Sequence, residues 1–122
     1  MTYIITIPGR LPSLNDYIAA ERSNRYKAAL MKRENEDILL YYIRQAHIPP
    51  IKRPVHITYH FYEKSQKRDK DNISGLAHKF IQDALVAARV LEGDGWAHIE
   101  GFTDTFSVDK KTPRIEVRIT EV

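Results

Sequence analysis

The feature that most constrains the fold is the alternation of apolar and polar residues near the C-terminus. From Arg114 to Val122, apolar Ile115, Val117 and Ile119 alternate with polar side chains. Because successive side chains of a strand point to opposite faces, this pattern predicts a strand with one buried face. The segment from Val55 to Glu63 alternates in the same way, and it predicts a second half-buried strand.

A stripe of apolar residues at helical spacing lies between these two strands. From Ile73 to about Ala88 the apolar positions recur at intervals of three, four and seven residues. This spacing is typical of a helix with one face against a core. A second helix is expected from about Lys27 to Gln45, with a loop at the start of the cationic segment that runs from Ala19 to Arg33. Pro12 to Asn15 is expected as a turn or loop.

The remaining segments complete an α+β pattern. Tyr3 to Ile7 predicts a short buried strand, and Trp96 to Val108 has strand character with Trp96 available for packing. The loop Asp109 to Pro113 is expected to join that strand to the last one as a hairpin. The order strand, helix, strand, helix and two strands predicts one domain over residues 1–122, an α+β fold with a single mixed β-sheet packed against two helices.

Composition limits the classes of protein. The 122 residues include no cysteine, which excludes disulfides and thiolate metal sites. No apolar stretch approaches eighteen residues and no signal-peptide pattern opens the chain, so we expect a cytoplasmic protein without membrane contact. Through Lys70 the chain has thirteen Lys and Arg against seven Asp and Glu, and from Asp71 onward six against nine. A basic front half and an acidic back half suggest a polyanionic partner held near carboxylates.

The segment Lys67 to Asn72 carries the strongest chemical signal. Asp69 and Asp71 stand one residue apart among cations, at the predicted start of the helix that carries the apolar stripe from Ile73. Two carboxylates so close repel each other unless a cation lies between them, and Mg²⁺ prefers oxygen ligands of this kind. The alternative is that Asp71 caps the helix while Asp69 is solvated.

Two further residues are candidates for the same site. Asp94 lies in a glycine-flanked turn after the helix, and it could join the two aspartates only if the turn folds back towards them. Its alternative is an ordinary Asp-Gly turn. Lys79 follows Asp71 by eight residues on a broadly similar side of the helix, where it could stabilise a phosphate, or it could form a surface pair with Asp83.

These motifs, taken in order, resemble the RusA family of Holliday junction resolvases. The resemblance lies in Arg68-Asp69-Lys70-Asp71-Asn72, Asp83-Ala84-Leu85 and Val90-Leu91-Glu92-Gly93-Asp94, with Pro12-Ser13-Leu14-Asn15 near the N-terminus. It spans essentially the whole chain. The chain departs from the family in a longer spacing before Lys79, and in Gly93-Asp94 where the family has two acidic residues.

The resemblance implies a homodimeric endodeoxyribonuclease that nicks four-way DNA junctions symmetrically in recombination and repair. Asp69, Asp71 and Asp94 would be its catalytic metal ligands for Mg²⁺, with Mn²⁺ as the alternative ion, and Lys79 would be its catalytic lysine. The protein would be bacterial or prophage-encoded, and cytoplasmic. The residues predicted to contact DNA are Asn15, Arg22, Arg25, Lys27, Lys67, Arg68 and Lys70.

Two other functions compete with this hypothesis. The basic half could belong to a non-catalytic DNA-binding module, or the site could act on other branched DNA. A cleavage assay on junction and linear DNA distinguishes the three.

Overall fold

The computed structural model describes all 122 residues, as four strands and three helices. In chain order these elements are β1 (Thr2–Pro8), α1 (Leu14–Ser23), α2 (Arg25–Gln45), β2 (Val55–Glu63), α3 (Lys70–Ala87), β3 (Ile99–Val108) and β4 (Arg114–Glu121). The fold is therefore α+β with one mixed sheet, as the sequence predicts, but with three helices instead of two.

The sheet has the strand order β1-β4-β2-β3, which differs from the prediction at the C-terminus. Strand β4 pairs antiparallel with both β1 and β2, whereas β3 pairs parallel with β2. The predicted hairpin between β3 and β4 is therefore wrong. The physical reason is burial: Ile115, Val117 and Ile119 are at most 3% exposed and need neighbours on both sides, while β3 contains no buried residue.

The core forms between α3 and the two central strands. The predicted apolar positions of β2 and β4 are buried, as is most of the predicted stripe of α3. Tyr59 on β2 accepts a hydrogen bond from Gln82 of α3 at 3.0 Å and packs against the His78 ring, and these contacts hold the helix over this face. Strand β2, helix α3 and strand β3 thus make a β–α–β unit, and the chain crosses the sheet from the carboxyl end of β2 to the amino end of β3.

Helix α1 lies where a turn or loop was expected at Pro12 to Asn15 and a loop at the start of the segment from Ala19 to Arg33. Ser13 accepts a hydrogen bond from the Asp16 N–H at 3.1 Å, and the Asp16 carboxylate accepts one from the Ser13 N–H at 3.0 Å. This capping box begins a helix at Leu14. Asn24 then caps α2 through the Tyr26 N–H, so α2 begins two residues before the predicted start.

Strand β3 also begins later than predicted. It starts at Ile99, and Trp96 lies outside it with a fully exposed side chain instead of packing in the core. None of the three helices is long and apolar enough to cross a membrane.

Candidate functional site

A cavity of about 690 Å³ lies where the carboxyl ends of β2 and β3 meet the amino end of α3. We call it the α3 cavity. Asp69 and Asp71 line it together with Glu63, Arg68 and Phe106. The parallel pairing of β2 with β3 places both strand ends beside the first turn of α3, and this arrangement creates the cavity.

The two aspartates of the α3 cavity have no partner within the protein. Asp69 is the N-cap residue of α3, with extended backbone (φ −68, ψ 149), yet its side chain makes no capping hydrogen bond. Asp71 lies in the first helical turn and is exposed, so the alternative in which Asp71 caps the helix is wrong. Both carboxylates therefore keep their oxygen atoms free for a ligand that enters the cavity.

A third carboxylate lines the cavity, but it is paired with arginine side chains of the protein. Glu63 is 6% exposed, and both of its oxygens accept hydrogen bonds from Arg68, at 2.9 and 2.8 Å. Arg10 lies 3.7 Å from the same carboxylate, and Arg68 also donates to the Leu11 carbonyl at 3.0 Å. Arg68 was predicted to contact DNA, but its guanidinium forms its hydrogen bonds within this buried network.

The sequence contains a signal for this pair. The alternation of β2 places every second residue from Val55 towards the core, and its next position after Phe61 is Glu63. An acidic residue at a buried position requires a cationic partner. Arg68, five residues later in the loop, is that partner.

Asp94 lies apart from the α3 cavity. It lines a smaller cavity of about 240 Å³ with Gln82, Trp96 and Phe102, beside the amino end of β3; we call this the Asp94 cavity. No group of three acidic or histidine side chains that could hold a metal ion exists within the chain. The expectation that Asp94 converges with Asp69 and Asp71 is therefore not met in one chain, because α3 carries the chain back along β2 before Asp94 is reached.

Lys79 lies beside Asp94 and not beside Asp69 or Asp71. Its ammonium lies 3.1 Å from Asp83 and 3.7 Å from Asp94, so the surface pair with Asp83 is present. The hydrogen bond with Asp83, followed by the charges of Asp83 and Asp94, raises the pKa of Lys79. Eight residues of helix separate Lys79 from Asp71, which is about 12 Å along the axis.

A polar network that was not predicted lies between α3 and the strands β2 and β3. His78 Nε2 lies 2.7 Å from Asp104 Oδ1, and the His78 ring packs between Tyr59 and Phe102 with centroid distances of 4.6 Å to each. Burial raises the pKa of the Tyr59 hydroxyl. Ser74, His78 and Gln82 recur every four residues on α3, and this polar stripe within the apolar pattern was the available signal.

Most of the predicted DNA-contacting cations are exposed. Arg22, Arg25 and Lys27 lie at the α1–α2 junction without an ion pair, and Lys67 is exposed in the loop before α3. Lys70 lies 5.6 Å from the centre of the Phe106 ring. The predicted contact residue Asn15 donates its backbone N–H to the Asn72 side chain at 2.9 Å, which ties the start of α1 to α3.

In comparisons with known proteins, no family model matches the chain and no curated protein matches it significantly. The functional hypothesis is therefore based on the residues of the site and on the resemblance carried by the sequence motifs.

Proposed function

We propose that the protein is a Mg²⁺-dependent endonuclease that resembles the RusA family and acts on branched DNA. The observation that supports this proposal best is the pair formed by Asp69 and Asp71. Their carboxylates have no protein partner, and they face one cavity beside an exposed cationic loop. An N-cap aspartate commonly stabilises its helix by about 1 kcal/mol through a capping bond. Here that bond is not made, which is consistent with selection for ligand binding.

The donor set fits Mg²⁺. This ion is commonly bound through one or two carboxylates, with water and substrate phosphate filling the remaining positions. Asp69 and Asp71 would hold it, and Mn²⁺ has the same preference for oxygen. When bound, such an ion activates water for attack on a phosphodiester and offsets charge on the leaving oxygen.

The chain's own residues have three roles in this proposal. Asp69 and Asp71 position the ion, and the Glu63–Arg68 pair holds the loop that carries them. Exposed Lys67 and Lys70 would bind the phosphates on either side of the scissile bond. Arg22, Arg25 and Lys27 would bind the backbone of a DNA arm further away.

A four-way junction is the substrate that the sequence resemblance favours. Such a junction has approximate two-fold symmetry, so paired nicks need two active sites related by a two-fold axis. The active form would accordingly be a homodimer. Two carboxylates in one chain are fewer than the three that the resemblance implies, and this difference favours the rival function of a non-catalytic DNA-binding module.

The experiment that tests the proposal uses a labelled four-way junction and a linear duplex of the same sequence. Protein is added with Mg²⁺ or with EDTA, and the products are separated on native and denaturing gels. Paired nicks in the junction that require Mg²⁺ would support the proposal. A shifted but uncut junction would support the DNA-binding module, and equal cutting of the linear duplex would indicate a nuclease without junction preference.

A further inference from the structure

A tyrosine ring stands almost fully exposed at the corner between α1 and α2. Tyr26 is 84% exposed. Asn24 fixes the backbone of this corner, since its N–H donates to the Ala20 carbonyl at 3.0 Å and its side chain accepts from the Tyr26 N–H at 2.7 Å. Because the ring is presented from ordered backbone, a ligand that packs on it has less conformational entropy to remove. A single exposed aromatic side chain is ordinary, so the surroundings of Tyr26 decide what it means.

Cations without acidic partners surround this ring. Residues 22–33 include five lysines and arginines and no acidic residue. Lys32 lies 4.0 Å from Asp83, whereas Arg22, Arg25 and Lys27 are exposed and form no ion pair. The first turn of α2 contains no acidic residue, and cations there oppose the partial positive charge at this end of the helix. The charge of this corner is therefore available to an anionic ligand.

A groove lies between this corner and the α3 cavity. Its volume is about 620 Å³, and it is bounded by α1, α2 and the loop after β1; we call it the α1–α2 groove. Ala19 and Met31 line it, and Arg22 and Lys27 lie one helical turn from them, three and four residues away. Arg68 lines both this groove and the α3 cavity. A strand that occupies the groove would therefore connect the corner with the α3 cavity.

The corner lies about one helix length from the pair of aspartates. The Asn15 N–H donates to the Asn72 side chain at 2.9 Å, next to Asp71. From there the ten residues of α1 rise about 15 Å to Asn24. One DNA substrate can therefore contact both places, while Tyr26 is too distant from the carboxylates to act in catalysis.

The ligand that matches these features is an unpaired nucleotide strand. Single-stranded nucleic acids bind to cations that follow the phosphates and to aromatic rings on which the bases stack. Inside a duplex the faces of each base are covered by its neighbours, so only an unpaired base can lie flat on the Tyr26 ring. An acidic peptide is the alternative ligand, but it would use the cations without requiring the ring.

We propose that the α1–α2 corner binds an unpaired DNA strand, with one base stacked on Tyr26 and its phosphates bound by Arg22, Arg25 and Lys27. Branched DNA that carries unpaired nucleotides is then preferred over fully paired DNA. The choice of DNA rests on the proposed function, whereas the stacking site rests on the ring and the cations around it.

The first experiment measures the binding of a fluorescein-labelled oligothymidine strand by anisotropy in EDTA, so that neither metal nor cleavage contributes. Tyr26→Ala should weaken binding of the strand about tenfold, because one stacked base is lost. Tyr26→Phe keeps the ring and should bind the strand as the unaltered protein does. Binding of a labelled duplex, which depends on phosphate contacts, should change by less than about twofold in either variant. Unchanged affinity of Tyr26→Ala for the strand overturns the proposal.

Tyr41→Ala is the matched control. Tyr41 is 58% exposed on the same helix, but it borders Asp37 and not a group of cations. This change should leave binding of the strand unaltered. Tyr26→Ala should keep the urea midpoint of the unaltered protein, because the Asn24 cap uses a backbone N–H that alanine retains. Equal losses of affinity in Tyr26→Ala and Tyr41→Ala overturn the assignment to the corner.

Salt dependence separates the stacked base from the phosphate contacts. Arg25→Ala should lower the slope of log K against log salt for the single strand by about 0.7. Tyr26→Ala should lower the affinity by the same factor at every salt concentration and leave the slope unchanged. Binding that depends on Arg25 but not on Tyr26 would indicate a surface for acidic ligands in general and overturns the stacking site.

The second experiment detects the stacked base directly. Trp96 is the only tryptophan and is 100% exposed, so Trp96→Phe removes it without loss from the core. Tyr26→Trp in that chain provides a single tryptophan at the corner. Its fluorescence should fall when oligothymidine is added, because a stacked base quenches the indole, and should stay constant with duplex. Emission that the single strand leaves unchanged overturns the proposal.

The result can be told apart from that of the nuclease proposal. Loss of strand binding in Tyr26→Ala, in a protein that cuts no DNA with Mg²⁺, would confirm the stacking site and reject the nuclease. Cleavage that requires Mg²⁺, with strand binding unaffected by Tyr26→Ala, would reject the stacking site and support the nuclease. An oligouridine RNA strand bound more tightly than oligothymidine overturns the choice of DNA.

Discussion

Arg68 donates its Nε and Nη2 hydrogens to the two carboxylate oxygens of Glu63, at 2.9 and 2.8 Å. The side chains are 17% and 8% exposed, so the pair closes the end of β2 in a largely dry environment. Arg68 therefore fixes the loop that leads to Asp69 and Asp71. It also removes Glu63 from the set of carboxylates that could bind a metal ion.

Replacing Glu63 with glutamine should lower the free energy of unfolding by about 2 to 3 kcal/mol, because it leaves a largely buried guanidinium without its counter-charge. Urea denaturation measures the change. Glu116→Gln is the matched control, since Glu116 pairs with Arg114 nearer the surface at 2.8 Å. That change should cost less than about 1 kcal/mol. Equal effects of the two substitutions would contradict the structural role of the Glu63–Arg68 pair.

Asp71→Asn should abolish junction cleavage and leave junction binding unchanged or tighter, because it removes a metal ligand and one negative charge near DNA. Stability should change by no more than about 0.5 kcal/mol, since the Asp71 carboxylate has no protein partner. Cleavage gels, binding gels and urea denaturation measure the three quantities. Full cleavage activity in this variant would exclude Asp71 from the site.

Asp69→Asn gives an independent test of the same interpretation. Asn is as good an N-cap residue as Asp, so the α3 helix should keep its stability. Cleavage should nevertheless be lost, because the neutral amide binds Mg²⁺ poorly. A variant that loses both stability and cleavage would show that Asp69 acts mainly on the helix.

Ser13→Ala should destabilise the protein by about 1 kcal/mol, because it removes the hydroxyl that accepts from the Asp16 N–H at 3.1 Å. Ser23→Ala, at the other end of α1, is the control, since that hydroxyl donates to the Ala20 carbonyl and caps no N–H group. Thermal or urea denaturation compares the two. An effect of Ser23→Ala as large as that of Ser13→Ala would contradict the capping role.

The same capping box predicts a pH dependence. Hydrogen bonds from Ser13, backbone first, hold the pKa of Asp16 below its ordinary value of 3.8. The unfolded chain binds a proton more readily than the folded one, so the contribution of Asp16 is complete above pH 3.8 and is lost as the pH falls through the folded pKa. The stability difference between the unaltered protein and Asp16→Ala should therefore shrink below pH 3.8. A difference that stays constant down to pH 2 would contradict this linkage.

The parts of the fold that the sequence predicted are those decided by local pattern. β2, α3 and β4 each carry a regular apolar period, and each appears within a few residues of the predicted bounds. Helix α1 was missed because Ser13, Asn15 and Asp16 favour turns, although Ser13 and Asp16 have the spacing of a capping box. The neighbour of β4 could not be predicted from the five-residue loop, because strand order depends on burial across the whole sheet.

The candidate site likewise has a part that local sequence predicts and a part that depends on the arrangement of the sheet. Asp69 and Asp71 are neighbours in sequence, so their presence in one cavity required only that α3 begin beside them. The position of Asp94 depends on the direction of β3 relative to β2, which the sequence left open. Antiparallel pairing of those strands would have returned the turn to the cavity, but the structure has them parallel.

Lys67→Ala should weaken junction binding to a similar degree for all sequences, because an exposed lysine binds phosphate and not a base edge. The slope of log K against log salt should fall by about 0.9 for each phosphate contact that is lost. Lys52→Ala is the control, since Lys52 is also exposed but precedes β2, at the end opposite the α3 cavity. It should leave the slope unchanged. Equal slopes for all three proteins would exclude the loop before α3 from the DNA-binding surface. The reason is that each lost phosphate contact reduces the number of counterions released on binding.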